Sequence, residues 1–216
     1  IMNLHCSLLP AYRGAAPIQH ALINNESTTG VTYFEINEKL DEGKIIWSKA
    51  YNIKESDNCT TIQDNLTDIA VEFCSEVIYK MCANEYIQST LTKKPTYANK
   101  IIKEDAFLNW DMNIRLMFNM IRAFHLWPVA RIDLFGENIK ILDANCIEKK
   151  HEHPNGTVVS FNKNELVIAA KEGFLSILKL QLEGKKIITN RDLYNSNHSI
   201  KETLINNCAN ISYKSL

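Results

Sequence analysis

The sequence predicts an α/β piece followed by a smaller, mostly β unit of the OB-barrel type. Three observations carry this. Residues 1 to about 85 mix two helical patterns with two strand-like runs. Residues 86 to 100 lose any period and gather Lys93, Lys94 and Pro95, which reads as a linker. From residue 129 to 182 the chain is almost all short strands punctuated by turn residues.

Taken in order, Pro17 suits a first helical position, and Ile18, Ala21 and Leu22 share one face, so a helix is expected from Pro17 to Asn24. Val31 to Ile36 and Ile45 to Ile53 are rich in β-branched and aromatic residues and read as strands around the polar loop Asn37 to Lys44. Thr60 with Gln63 resembles a capping box, and Ile62, Leu66, Ile69, Phe73, Val77 and Met81 then recur at helical spacing. Beyond the linker, Asp111 can cap a helix whose apolar face is Ile114, Met117, Phe118 and Ile121, stopped at Trp127-Pro128. Five strands follow: 129–134, 139–142, 156–161, 165–169 and 174–182. The expected domains are 1–85, a linker 86–100, a second domain 101–205 and a tail 206–216.

Composition excludes several classes. With 45% hydrophobic and 23% charged residues, 7 Gly and 5 Pro, the 216-residue chain has material for a core and is not low-complexity. No apolar run reaches the roughly 18 to 20 residues of a membrane helix. Residues 1–100 carry nine basic and twelve acidic side chains and residues 101–216 fifteen and thirteen, so a net −3 precedes a net +2. The six cysteines show no CxxC pair, and a chain of this size needs no disulfide staples, which points to a reducing compartment. The opening Ile1-Met2-Asn3-Leu4-His5 lacks the basic and apolar regions of a secretory signal and reads as a strand end cut inside a domain.

The residues able to do chemistry gather at that opening. Asn3 and His5, two apart on an extended segment, fall on one side of it. Asp41, in the loop between two strands, could turn back to hold the histidine. An amide donor for an oxyanion, a proton shuttle and an orienting carboxylate are what acyl transfer to an amine requires. The alternative is a strand-end Asn and His satisfied by backbone groups. Lys179, Lys185, Lys186 and Arg191 could face a nucleic acid backbone together with Lys93 and Lys94, or form a solvated face. His151-Glu152-His153 reads as polar surface rather than a metal site. Trp110, Trp127, Phe118 and Phe124 read as packing rather than a base-stacking platform. Arg122 could be buried with an acidic partner or face phosphate.

The run NLHCSLLPAYRGAAPIQHAL followed by TGVTYFEINEKLDEG resembles the formyltetrahydrofolate-dependent formyltransferases. YANKI, IRAFHLWP and LKLQLEGKK followed by RDLYN extend the resemblance over almost the whole chain and favour the branch acting on methionyl-tRNA. The resemblance implies the C-terminal portion of a Rossmann-like catalytic domain followed by a tRNA-binding OB-type domain, the N-terminal portion of the catalytic domain being absent. It implies that Asn3 bonds the formyl oxygen, that His5 moves the proton of the attacking amine and that Asp41 orients His5. Ser7, Leu8, Leu9 and Pro10 would contact the donor, 10-formyltetrahydrofolate, and no metal is involved. The partner would be initiator methionyl-tRNA, in the cytoplasm or an organellar matrix, with no membrane. The whole enzyme would be monomeric, while this chain alone, exposing strand edges, would self-associate. Cys6, Lys44 and Leu182-Glu183 depart from the family pattern. A tRNA-binding fragment without activity, and a formyltransferase for a sugar nucleotide or small amine, remain as rivals.

Overall fold

A computed structural model of the chain describes residues 1–87 and 94–209. It divides into two units, Ile1–Ile101 and Ile102–Leu216.

The first unit is built on β1 (Met2–His5), β3 (Thr28–Glu35) and β4 (Ile45–Asn52), an antiparallel sheet in the order β1-β3-β4. The central strand β3 is buried almost end to end and is dense in β-branched and aromatic residues. It begins at Thr28, earlier than expected, so Gly30 lies inside the strand. Two helices cover the sheet. In α1 (Pro17–Ile23) the expected face of Ile18, Ala21 and Leu22 is buried. The 24-residue α2 (Cys59–Cys82) buries Ile62, Leu66, Ala70 and Val77. Its cap is Asn58, whose side chain accepts from the Thr60 and Thr61 amides while Thr61 returns a bond to the Asn58 amide. Thr60 with Gln63 is therefore not the capping box; the reciprocal pair starts two residues earlier. Tyr97–Ala98 (β5), within the stretch read as linker, pairs in parallel with β2 (Arg13–Gly14) and belongs to this unit.

In the second unit, a 3₁₀ turn (Lys103–Ala106) leads to α3 (Ile114–Ala123). The cap of α3 is Asn113, not Asp111. The sheet runs β6 (Arg131–Leu134), β7 (Glu137–Glu148), β10 (Gly173–Gln181), β9 (Glu165–Ala170), β8 (Val158–Asn162), and β11 (Ile187–Thr189) also pairs with β10. The five expected strands are present, with β7 far longer than expected. Among the described residues, however, no pairing joins β6 to β8, so no closed barrel forms. Each end strand meets other backbone instead: Phe107 bridges to Arg131 on β6, and the Ala209 amide donates to the Val158 carbonyl on β8. Two unexpected helices close the unit, α4 (Asn190–Asn195) and α5 (Ser199–Asn206), burying Leu193, Ile200 and Leu204. No described helix is long and apolar enough to cross a membrane.

Candidate active site

Strand β1 places the first two candidates. Asn3 and His5 stand opposite Phe34 and Thr32 of β3 and project to the same side. Asn3 is exposed, whereas His5 is only 6% exposed. His5 Nε2 lies 2.8 Å from the Tyr12 carbonyl, an oxygen that can only accept. The ring therefore donates from Nε2, and in its neutral form leaves the Nδ1 lone pair open.

Asp41 reaches His5 from the β3–β4 loop, with Oδ2 3.7 Å from Nδ1. Both side chains are about nine-tenths buried. The same Oδ2 accepts the Gly14 amide at 2.8 Å, so the backbone of β2 fixes the carboxylate. One residue away on each segment, Arg13 donates to Glu42 at 2.6 Å. Consecutive residues of β2 thus grip consecutive residues of the loop. Two glycines permit this arrangement. Gly14 has φ +117°, and a Cβ there would lie 2.6 Å from the Ala98 carbonyl; at Gly43 a Cβ would collide with the Glu35 carbonyl. A shallow depression lined by Asn3, Phe34, Ile36, Leu40 and Asp41 brings the amide and the carboxylate to one surface.

The segment Ser7–Pro10 is tied to the sheet through one hydroxyl. Thr32 Oγ1 donates to the Ser7 carbonyl at 2.6 Å and accepts the Leu9 amide at 3.2 Å. Ser7 is buried and bonds the Ala11 carbonyl at 2.6 Å, while Leu8, Leu9 and Pro10 are partly buried. Leu8 packs where a Cβ on Gly30 would stand, 2.5 Å from its Cδ2. These four residues form a fixed, largely apolar ledge beside His5.

Cys6 follows His5 in the chain, and burial pushes its thiol up. Burial, and then the Cys6 thiol, push the buried Cys59 up to about 11. Lys44 places its ammonium 5.1 Å over the Tyr86 ring. Of the basic candidates, Lys94 is exposed in the first unit and Lys93 lies outside the described residues. Lys179 on β10, Lys185 and Lys186 in the β10–β11 turn and Arg191 on α4 are exposed along one continuous stretch of the second unit. Lys179 is 4.0 Å from Asp143. His151 is structural: Nε2 sits 2.8 and 2.9 Å from the Ala170 and Gly173 carbonyls, and Nδ1 accepts the His153 amide. Arg122 is buried, donating to Asn119 at 2.6 Å with its guanidinium over Phe118. Trp127 is 52% exposed and does not pack as expected.

Sequence reasoning passed over Arg13, Gly14 and Thr32, the groups that hold the site. The signal available was the Arg-Gly pair at the end of a loop rich in Pro and Ala.

A family profile described as Formyl transferase matches residues 1–78, and one described as Formyl transferase, C-terminal domain, matches residues 100–198. The methionyl-tRNA formyltransferase of Thermodesulfovibrio yellowstonii is 41% identical over 191 residues, covering 88% of this chain and 61% of that protein. The Staphylococcus aureus (strain MW2) protein of the same name is 36% identical over 188 residues, 86% of this chain and 60% of its own. The chain thus spans about three fifths of the curated relatives it matches. Among solved structures, HypX from Aquifex aeolicus in complex with tetrahydrofolic acid superposes with a TM-score of 0.68 at 17% identity, covering 89% of this chain and 34% of that one. The Helicobacter canadensis N-formyltransferase, in complex with folinic acid and dTDP-3-aminofucose, gives 0.64 at 21%, covering 82% and 65%. At these identities the likeness is one of fold.

Proposed function

The chain belongs to the formyl transferase family, and we propose that the protein it represents moves a formyl group from 10-formyltetrahydrofolate to the amino group of methionyl initiator tRNA. One observation carries the reading: His5 stands between a carbonyl that fixes its tautomer and a carboxylate anchored by Gly14, with the Asn3 amide on the same face.

Each group has a task that follows from its place. The free amine of the acceptor is already a nucleophile, so positioning, one proton acceptor and one donor for a developing negative oxygen suffice. Asn3, exposed at the mouth of the depression, donates to the formyl oxygen as charge gathers there. His5 Nδ1, the ring nitrogen left open, takes the N–H proton as the new C–N bond forms and returns it to the folate nitrogen, which leaves as its bond to the formyl carbon breaks. Asp41 then faces an imidazolium and offsets its charge. The folate donor supplies the activated formyl carbon when bound. The ledge of Ser7, Leu8, Leu9 and Pro10 fits it, because it offers a fixed apolar surface next to these polar groups and Gly30 leaves that surface room. No residue in this scheme calls for a metal.

The second unit is read as an OB-type module gripping the tRNA through Lys179, Lys185, Lys186 and Arg191, with Lys93 and Lys94 of the first segment contributing. The whole enzyme is read as a monomer of the cytoplasm or an organellar matrix. The 41% identical relative favours methionyl-tRNA over a sugar nucleotide as acceptor.

The test is formylation by the full-length protein, with methionyl-tRNA and amino-sugar nucleotides in competition. Transfer to methionyl-tRNA, lost in His5→Ala, is expected. Preference for the sugar nucleotide would overturn the assignment, and tRNA retention on filters without transfer would reduce the protein to a binding module.

A further inference from the structure

On the second unit, Arg131, Lys140 and Gln181 stand in one row across three strands, Arg131 opposite Lys140 and Lys140 opposite Gln181. Directly opposite residues share a face of the sheet, so these side chains point the same way while Ile132, Ile139, Ile141 and Leu180 fill the core. They line one depression together with Asn138 and the turn Leu182-Glu183-Gly184. The turn is held shut by Gln181, which donates to the Lys185 carbonyl at 2.8 Å, and by the Lys185 amide on Leu182 at 3.0 Å.

The charges in this row do not balance within the protein. Two cations directly opposite on paired strands repel. Arg115 pairs with Glu148 and Lys179 with Asp143, whereas neither Arg131 nor Lys140 meets a carboxylate among the described residues. The Arg131 guanidinium has no hydrogen-bond acceptor among them, its Nε is shielded from solvent, and its face lies 5.9 Å from the Phe107 ring. Buried donors left unpaired are rare. Glu183 is the one carboxylate at the depression, exposed on its rim.

We propose that this depression is a subsite for a phosphate group, gripped by Arg131 and Lys140 with the amides of Asn138 and Gln181 beside them. A planar guanidinium and a point-charge ammonium a strand apart suit a tetrahedral dianion or phosphodiester, and an arriving anion removes the repulsion between the two cations. Its two cations lie outside the lysine-rich stretch 179–191 whose turn forms one wall, and it deepens the tRNA reading when the phosphate is part of an RNA backbone.

The test uses the full-length protein with two probes: inorganic phosphate by calorimetry, and a 12-nucleotide single-stranded RNA by filter binding over a salt series. Arg131→Gln and Lys140→Gln are each expected to weaken phosphate binding about tenfold, and to lower the log–log salt slope for RNA by about 1. Glu183→Gln should strengthen both a few-fold. Loss with both probes assigns the site to RNA; loss of phosphate binding alone assigns it to a free phosphate compound. Binding of both probes unchanged in both variants overturns the proposal. If Arg131→Gln does not fold, Lys140→Gln carries the test. Neither probe involves a formyl donor, so an absence of formyl transfer would strike the proposed reaction and leave this site standing.

Discussion

Asp41→Asn isolates what the carboxylate charge does. Asparagine keeps an oxygen where Oδ2 accepts the Gly14 amide at 2.8 Å, so the β2 anchor and the loop survive. What disappears is a negative charge 3.7 Å from His5 Nδ1, between side chains 7% and 10% exposed. At that distance, with an effective dielectric of about 20, the attraction to an imidazolium is roughly 4 kcal/mol. If half or more of it is realised when the proton reaches Nδ1, the barrier rises by about 2 to 4 kcal/mol, a loss of about 30- to 1000-fold in kcat. Initial rates of methionyl-tRNA formylation measure this, with thermal unfolding as the control. A kcat within about threefold of the parent, at unchanged Tm, would refute the idea that Asp41 stabilises a charged His5.

Gly14→Ala should cost both stability and activity. The φ of +117° and the Ala98 carbonyl 2.6 Å from the new Cβ imply about 1 to 3 kcal/mol of strain, a fall of very roughly 5 to 20 °C in the first unit's Tm by calorimetry. Cys6→Ala should leave formylation within about threefold, since the proposed scheme gives its thiol no part; a hundredfold loss would make it a candidate nucleophile. Hydrogen bonds from the Thr189 backbone and then its side chain hold Asp192 below its ordinary value of 3.8. A depressed carboxyl contributes stability present above that value and lost as pH falls through its folded-state value, so Asp192→Asn should flatten the acid limb of urea unfolding for the second unit. Expressed alone, residues 1–216 should self-associate through the β1 edge that no described strand covers, and a sharp monomer by sedimentation would contradict this.

The elements legible in the sequence were those with strong periodicity or dense β-branched content. Helix α2 showed its 3.6-residue repeat from Ile62 to Met81, and β3 its β-branched and aromatic content. Caps were harder to place, because Asn58, Thr60 and Thr61 can each accept amides and only backbone geometry selects among them. The missed β11 has three residues, too few to show alternation, and its Thr189 hides in the capping box of α4. Closure of the sheet was illegible for a different reason: strand patterns reveal faces, not which backbone meets an outer edge, and here Phe107 and Ala209 take those places. Within the site, Asn3, His5 and Asp41 were visible as chemistry. The partners that aim them were not, because the Tyr12 carbonyl and the Gly14 amide are backbone groups common to every residue.

Thr32 carries a consequence of its own. A single oxygen, wholly buried, spans the Ser7 carbonyl and the Leu9 amide, so the ledge beside His5 keeps its position by two bonds through one atom. Valine at that position would preserve shape and volume while removing both. The loop would then exchange between conformers on the microsecond to millisecond scale, visible as relaxation dispersion at Leu8 and Leu9 while β3 stays rigid. Loop rigidity in this protein is thus separable from core packing: one can be lost while the other is kept.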